Sequence, residues 1–429
     1  MKRTIICIIL ALAAVFCSRA QTGTWSGKLD VYGNSLTIVF HFAADSASFD
    51  SPDQGAYGIA ADIERNATGV KVRIPAINAV YEGLYLGNMI AGTFNQSGQA
   101  FPLTLNLGEP ERRRPQTPAA PFPYTVEEVS FSNGDAVLSG TLTLPEGYNA
   151  DTPALIMVTG SGLQNRDEEI FGHKPFAVIA DALARHGIAS LRYDDRSFGK
   201  STGDASAATT ADFKDDALAG IELLRRRFST VGALGHSEGG SIVLMLAAEG
   251  RTDFAVSLAG CAISGKTTLI QQNRYTLTTA GLSEEIRERY LRVLESIFDE
   301  LAAGHTPTLE ESHGLPAELE RNLHAVVAQG SSPWMRHFLS LDISGILPSI
   351  TCPVLALNGT KDMQVDCGEN LSVLREKINA PKRVCAIEGV NHLFQHCGSG
   401  DPSEYKDIEE TFAPEVLDMI CSWIGEAYR

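Results

Sequence analysis

The sequence predicts an α/β protein: a mainly parallel sheet with helices on both faces and a helical lid, preceded by a small all-β domain. Three observations predict it. Up to about residue 107 the apolar residues alternate with period two, as in strands with one buried face. From about residue 125 onward, short apolar runs alternate with helical patterns, which is how parallel strands joined by crossover helices read. Within that second part, residues 262–347 carry no strand signal and read as helices alone.

The elements follow in order. Residues 1–20, "MKRTIICIILALAAVFCSRA", place Lys2 and Arg3 before an apolar run from Thr4 to Phe16 and end on small residues at Ser18 and Ala20. This is the pattern of a secretory signal peptide cleaved near Ala20, and the run is short for a membrane span of about 20 residues. The expected location is therefore the periplasm or the exterior. Processing would leave Cys261, Cys352, Cys367, Cys385, Cys397 and Cys421, an even number that permits disulfides without requiring them.

Residues 21–108 form the all-β domain. "SLTIVFHF" puts Leu36, Ile38, Phe40 and Phe42 on one face, as "VKVRI" does with Val70, Val72 and Ile74, and "LTLNL" with Leu103, Leu105 and Leu107. Turn residues separate these runs, so a sandwich or barrel is expected, serving as a packing or substrate-presenting module. Residues 109–124, "GEPERRRPQTPAAPFPY" with Gly108, carry five prolines from Pro110 to Pro123 and read as an extended linker or a surface strap.

Residues 125–429 form the catalytic candidate. A hairpin-like opening, "EEVSFSNGDAVLSGTLTLPEG", precedes the alternating runs, and a closing helix is expected around Pro414 to Ala427. In the helical stretch, Ile286, Leu291, Leu294, Phe298 and Leu301 recur on one face of a helix. Inserted between two sheet strands, this stretch reads as a lid over the carboxyl ends of the strands, where open α/β sheets bind ligands.

The net charge of −17, with no run or stripe of basic residues, argues against nucleic acid or an anionic membrane as a partner. The chemistry is carried by Gly235-His236-Ser237-Glu238-Gly239, a G-x-S-x-G between an apolar strand and an amphipathic helix. A sharp strand-to-helix turn exposes the serine, and only glycines two residues either side avoid collision. Serine is a weak nucleophile at neutral pH, so it needs a base, and the base needs an orienting acid. The order in this architecture is Ser, acid, His, which selects Asp362 in "PVLALNGTKDMQVD" and His392 in "RVCAIEGVNHLF", each just past a strand. Asp366 and His396 are the rivals, each further into its loop. His236 reads as a packing side chain behind the nucleophile.

An oxyanion hole needs two backbone N–H donors. One is expected from Glu238, and the other from Ser161 in the small-residue loop "VTGSGLQNRDE". Asn165, Arg166, Asp167 and Glu168 read as an ion-pair network at the rim. Cys367 and Cys397 each follow a triad candidate by five residues, so a disulfide between them would staple the acid loop to the histidine loop; two free thiols are the alternative. No metal or organic cofactor is called for by such a triad, and the expected partner is a small molecule.

On the motifs "TGSGLQNRDE", "LRYDDRSFGKSTG", "GHSEGG", "NGTKDMQVD" and "GVNHLF", the chain from about Val126 to Trp423 resembles the α/β-hydrolase superfamily. Within it, the chain is similar to secreted bacterial esterases and serine-aminopeptidase-like hydrolases with a helical lid. The β module with "DSPDQGAYGI" also resembles one that precedes such domains. The resemblance implies Ser237 as nucleophile, Asp362 and His392 as its partners, Glu238 and Ser161 as oxyanion donors, and a small-molecule ester, short-chain or acetyl, as substrate. Thr159, where many relatives have His, and Ser197, where Gly is usual, depart from the pattern.

Three other readings compete with the esterase. A peptidase would use the same triad, with lid carboxylates such as Glu284, Glu285 or Glu295 binding a substrate amine. A nucleotide-binding module would use Gly260 to Thr267, "GCAISGKT", which fits the phosphate-loop pattern letter for letter. An inactive binding protein would keep the scaffold without the chemistry.

Overall fold

The computed structural model describes residues 22–428 apart from 55, 109, 111, 112, 310 and 311. The expected signal peptide lies outside the described residues. The chain divides into two compact units, Met1–Arg112 and Arg113–Arg429.

The first unit is a closed antiparallel barrel built from β1 (Gly23–Val31), β2 (Asn34–Phe42), β3 (Ala47–Ser51), β4 (Ala56–Arg65), β5 (Gly69–Ile74), β6 (Ala79–Leu86), β7 (Met89–Gln96) and β8 (Gln99–Leu107). Strands pair in chain order, and β1 closes on β8 with Trp25 opposite Leu107. The period-two faces point inward, so Ile38, Phe40, Phe42, Val70, Val72, Ile74, Leu103 and Leu105 are buried around Trp25 and Tyr81. Leu107, the last residue of its alternating run, is exposed because the pairing ends there.

In the second unit, residues 113–124 lie along the body of the unit as a strap. Arg114 donates to the carbonyls of Phe171, Lys406 and Ile408, and Gln116 bonds both the N–H and the C=O of Phe412. A sheet then forms from β9 (Thr125–Asn133), β10 (Ala136–Leu144), β11 (Ala154–Val158), β12 (Ala189–Tyr193), β13 (Val231–His236), β14 (Ala255–Leu258), β15 (Val354–Gly359) and β16 (Lys382–Ile387). Its order is β16-β15-β14-β13-β11-β12-β10-β9. The hairpin β9–β10 is antiparallel, and from β12 to β16 every pair is parallel. The strands β11 and β13–β15 are buried on both faces, which is why they read as continuous apolar runs.

Helices α1 (Pro175–Arg185), α2 (Thr210–Arg225) and α3 (Glu238–Ala248) cross between these strands. The lid consists of α4 (Gly265–Thr279), α5 (Glu284–Ala302), α6 (Ala317–Gly330) and α7 (Pro333–Ser340), and α8 (Cys367–Lys377) and α9 (Pro414–Tyr428) complete the unit. Local chemistry starts them: Thr209 and Asp212 make a capping box on α2, and the hydroxyls of Ser264, Ser283 and Ser332 cap α4, α5 and α7. The lid has its own core, in which Leu291, Leu294, Phe298 and Leu301 of α5 pack with Tyr290, Leu277, Leu323 and Leu339. A core of its own lets the lid hold a fixed shape over the strand ends.

Candidate active site

Ser237, Asp362 and His392 stand beyond the carboxyl ends of β13, β15 and β16, and these parallel strands bring them to one edge of the sheet. Ser237 sits at φ 54° and ψ −119°, a strained conformation for a residue with a side chain, between the last residue of β13 and the first of α3. A Cβ on Gly235 would overlap the Gly239 carbonyl, and one on Gly239 would overlap the Val158 carbonyl. Sterics therefore require the two glycines of the motif.

Asp362 is held at three points. Its Oδ1 accepts the N–H groups of Gln364 at 2.8 Å and Val365 at 2.9 Å, and its Oδ2 lies 2.7 Å from His392 Nδ1. With Nδ1–H given to the carboxylate, the His392 Nε2 carries the lone pair that a base needs. Both side chains are buried, so an ion pair between them would be screened little by solvent. The rivals are occupied elsewhere: Asp366 caps α8, and His396 is half-exposed between Glu410 and Glu415.

Ser237 and His392 line a cavity of about 280 Å³ together with Ser161 and Glu238. The N–H groups of Ser161 and Glu238 make no hydrogen bond among the described residues. That of Gly160 is spent on Glu168 Oε1 at 2.7 Å. The Gly160 backbone passes so close that a Cβ there would stand 3.1 Å from the Ser237 Cβ. Asp195 holds the loop, accepting from the Gln164 N–H at 2.7 Å and from the Thr159 hydroxyl at 3.1 Å. Burial pushes the Asp195 carboxyl up to about 7. Thr159, the departure from the family pattern, thus ties the loop that carries Gly160 and Ser161 to Asp195, and Ser197 takes the glycine-like φ of 65°.

The rim network forms among Arg166, Asp194 and Glu128, between Arg192 and Asp167, and between Arg196 and buried Asp216. Glu168 is not part of it. It turns inward at φ 51° and meets His236 Nδ1 at 3.0 Å, while His236 Nε2 reaches the His392 carbonyl at 2.9 Å. The reading of His236 as plain packing therefore missed two polar contacts; the signal was a buried ring nitrogen pair, which needs partners. The role of Trp334 was also missed. From α7 its indole N–H donates to the Glu238 carboxylate at 3.0 Å, and Thr210 donates to the same oxygen at 2.6 Å.

The disulfide expectation is corrected: Cys367 and Cys397 are free thiols. Cys367 opens α8 with its sulfur on the Asn358 carbonyl at 3.7 Å, and the Cys397 sulfur lies 3.6 Å from the Gly389 carbonyl, so each thiol has its own backbone acceptor. The lid carboxylates proposed for an amine do not line the cavity. Glu284 and Glu285 are exposed, the latter paired with Arg289, and Glu295 faces Lys266. "GCAISGKT" forms the entry to the lid: Ser264 caps α4, and Lys266 pairs with Asp299 at 2.7 Å. Gly260 packs on the Gly240 backbone, which leaves no cradle for a phosphate.

A family model described as serine aminopeptidase, S33, matches residues 174–396. Esterase EstD of Thermotoga maritima is 27% identical over 310 residues, covering 71% of this chain and 70% of its own. Among solved structures, proline iminopeptidase of Mycobacterium smegmatis is similar with a TM-score of 0.45 at 18% identity, covering 71% of this chain and all of its own. Est1E of Butyrivibrio proteoclasticus with ferulic acid bound has a TM-score of 0.42 at 17% identity, covering 70% and 97%.

Proposed function

The chain belongs to the serine aminopeptidase (S33) family, and from that premise we propose that it is a serine carboxylic-ester hydrolase working through an acyl-enzyme on Ser237. The observation that carries the proposal is the Asp362–His392 pair fixed at 2.7 Å, with His392 lining the same cavity as the elbow serine. In this reading Ser237 attacks the ester carbonyl while His392 Nε2 takes its proton. Asp362 steadies the imidazolium, and the N–H groups of Ser161 and Glu238 receive the oxyanion. His392 then returns the proton to the leaving alcohol, and water hydrolyses the acyl-enzyme by the same route.

Two features support a small neutral ester over a peptide. A cavity of about 280 Å³ suits a short acyl group, and its lining holds no Lys or Arg to receive an anionic one. Both carboxylates that line the cavity are engaged, Glu238 by Thr210 and Trp334 and Glu168 by the Gly160 N–H and His236, and neither is free to bind a substrate amine. The curated relative is named an esterase. The test compares p-nitrophenyl acetate with aminoacyl p-nitroanilides on the pure protein; faster cleavage of the anilides would replace this reading with a peptidase.

The same reading takes the protein to be exported and cleaved near Ala20. Amino-terminal sequencing of the protein from a periplasmic or culture fraction checks it, with Gln21 the expected first residue.

A further inference from the structure

We propose that His236 and Glu168 are a buried positioning pair, an imidazolium on a carboxylate, that ties the oxyanion loop to the loop of the catalytic base through one ring. The inference rests on the serine-hydrolase reading for its kinetic consequences, and its chemistry stands on geometry.

Each nitrogen of the His236 ring faces an oxygen, a backbone carbonyl on one side and a carboxylate on the other. Nε2 lies 2.9 Å from the carbonyl oxygen of His392, and a carbonyl has no proton to give. Nδ1 lies 3.0 Å from Glu168 Oε1, which also accepts the Gly160 N–H at 2.7 Å, as a carboxylate oxygen with two lone pairs can. A neutral imidazole has one N–H and one lone pair, so it would leave one contact with two lone pairs opposed. With Glu168 as the carboxylate, the doubly protonated ring is the one form that satisfies both.

The surroundings agree with a cation there. Burial pulls His236 down, and the charge and hydrogen bond of Glu168, the His392 carbonyl and the charge of Asp362 more than offset this, leaving its proton held above the ordinary histidine range. The other titratable groups near the pair are His392, whose ring centroid is 4.7 Å away, and Asp195 behind Glu168. Glu168 balances the imidazolium where an uncompensated cation would oppose the charge that develops on His392 during catalysis.

One side chain thus reaches three parts of the site. His236 adjoins the nucleophile in sequence, its Nε2–H fixes the backbone of the base, and Glu168 carries the link on to Gly160, one residue before the oxyanion donor Ser161. Removing the ring proton breaks one of these ties. Its effect belongs in kcat, because the geometry of reacting groups is lost and not the substrate contacts.

Two measurements decide it. The first needs no activity: nitrogen-15 histidine spectra of Ser237→Ala, with His236→Gln to assign the signal, are expected to show both nitrogens of His236 protonated near neutral pH. A neutral ring there overturns the proposal. The second is kinetic. His236→Gln and Glu168→Gln are each expected to lower kcat on p-nitrophenyl acetate by about tenfold to a hundredfold with little change in KM. The double variant should lose no more than the worse single one, and the alkaline limb of wild-type kcat should vanish in His236→Gln. Strictly additive losses, or a wild-type pH profile in folded His236→Gln, overturn it. Should the wild type cleave no ester and leave Ser237 unlabelled by a fluorophosphonate, the serine-hydrolase reading fails instead, and the spectra still decide the protonation of the pair.

Discussion

Replacing Asp362 with asparagine changes the volume of the side chain hardly at all and removes one acceptor. Which way the new amide faces is set by the backbone. The Gln364 and Val365 N–H groups both point at Oδ1, so the amide oxygen must stay there to keep two hydrogen bonds. The amide nitrogen then takes the place of Oδ2, 2.7 Å from His392 Nδ1, and presents a donor. His392 can answer only by becoming an acceptor at Nδ1, which moves its proton to Nε2 and leaves no lone pair facing Ser237. Flipping the amide would oppose its donors to two backbone donors, at a cost of about 1–3 kcal/mol for each group left unsatisfied. The wrong tautomer is therefore held by the fold. The expected loss in kcat is about a thousandfold to ten thousandfold, which is about 4–5.5 kcal/mol of barrier. Initial rates on p-nitrophenyl acetate measure it, with KM near the wild-type value. An Asp362→Asn enzyme that keeps more than about a tenth of wild-type kcat would refute the assigned role of His392.

The remaining predictions concern the frame around the site. Arg196→Ala leaves the Asp216 carboxylate buried with Asn133 as its remaining side-chain donor, and should cost about 3–5 kcal/mol in urea unfolding of the second unit. Trp334→Phe keeps the stack on Phe338, at 5.2 Å between rings, and removes the indole donor from Glu238. A loss of about 1.5–3 kcal/mol is expected, read as faster hydrogen exchange in α7. For His236, whose folded value is raised above 6.5, the stabilising contribution is fully present below the unfolded value and is lost as pH rises through the folded one. Urea stability should therefore fall on the alkaline side, and that slope should be absent in His236→Gln.

How much of this was legible in the sequence depended on how local the signal was. The elbow was legible because a G-x-S-x-G between an apolar strand and a helix marks the turn locally, although the carbonyl that excludes a side chain at Gly239 belongs to Val158 on another strand. Asp362 and His392 were candidates from strand order. The barrel strands were legible as faces, since period two survives folding, although whether they closed was a matter of register between β1 and β8. Glu168 could not be read correctly: its neighbours Arg166 and Asp167 do join ion pairs, and only the left-handed turn at Glu168 itself sends its carboxylate toward His236. Trp334 lies 96 residues from its acceptor, so the contact depends on how the lid docks. Cys367 and Cys397 show the limit of spacing arguments, since equal offsets from the triad candidates did not bring the two sulfurs together. "GCAISGKT" shows the same limit from the other side, with a fitting pattern placed at a helix cap.

The central claim is that Ser237 is the nucleophile, and the most direct test is covalent. The protein is treated with a fluorophosphonate and digested, and the adduct is located by mass spectrometry while hydrolysis of p-nitrophenyl acetate is followed in parallel. The expected result is a single adduct on Ser237, absent in Ser237→Ala, with hydrolysis lost in step with labelling. An adduct on another residue, or undiminished turnover in Ser237→Ala, would contradict it.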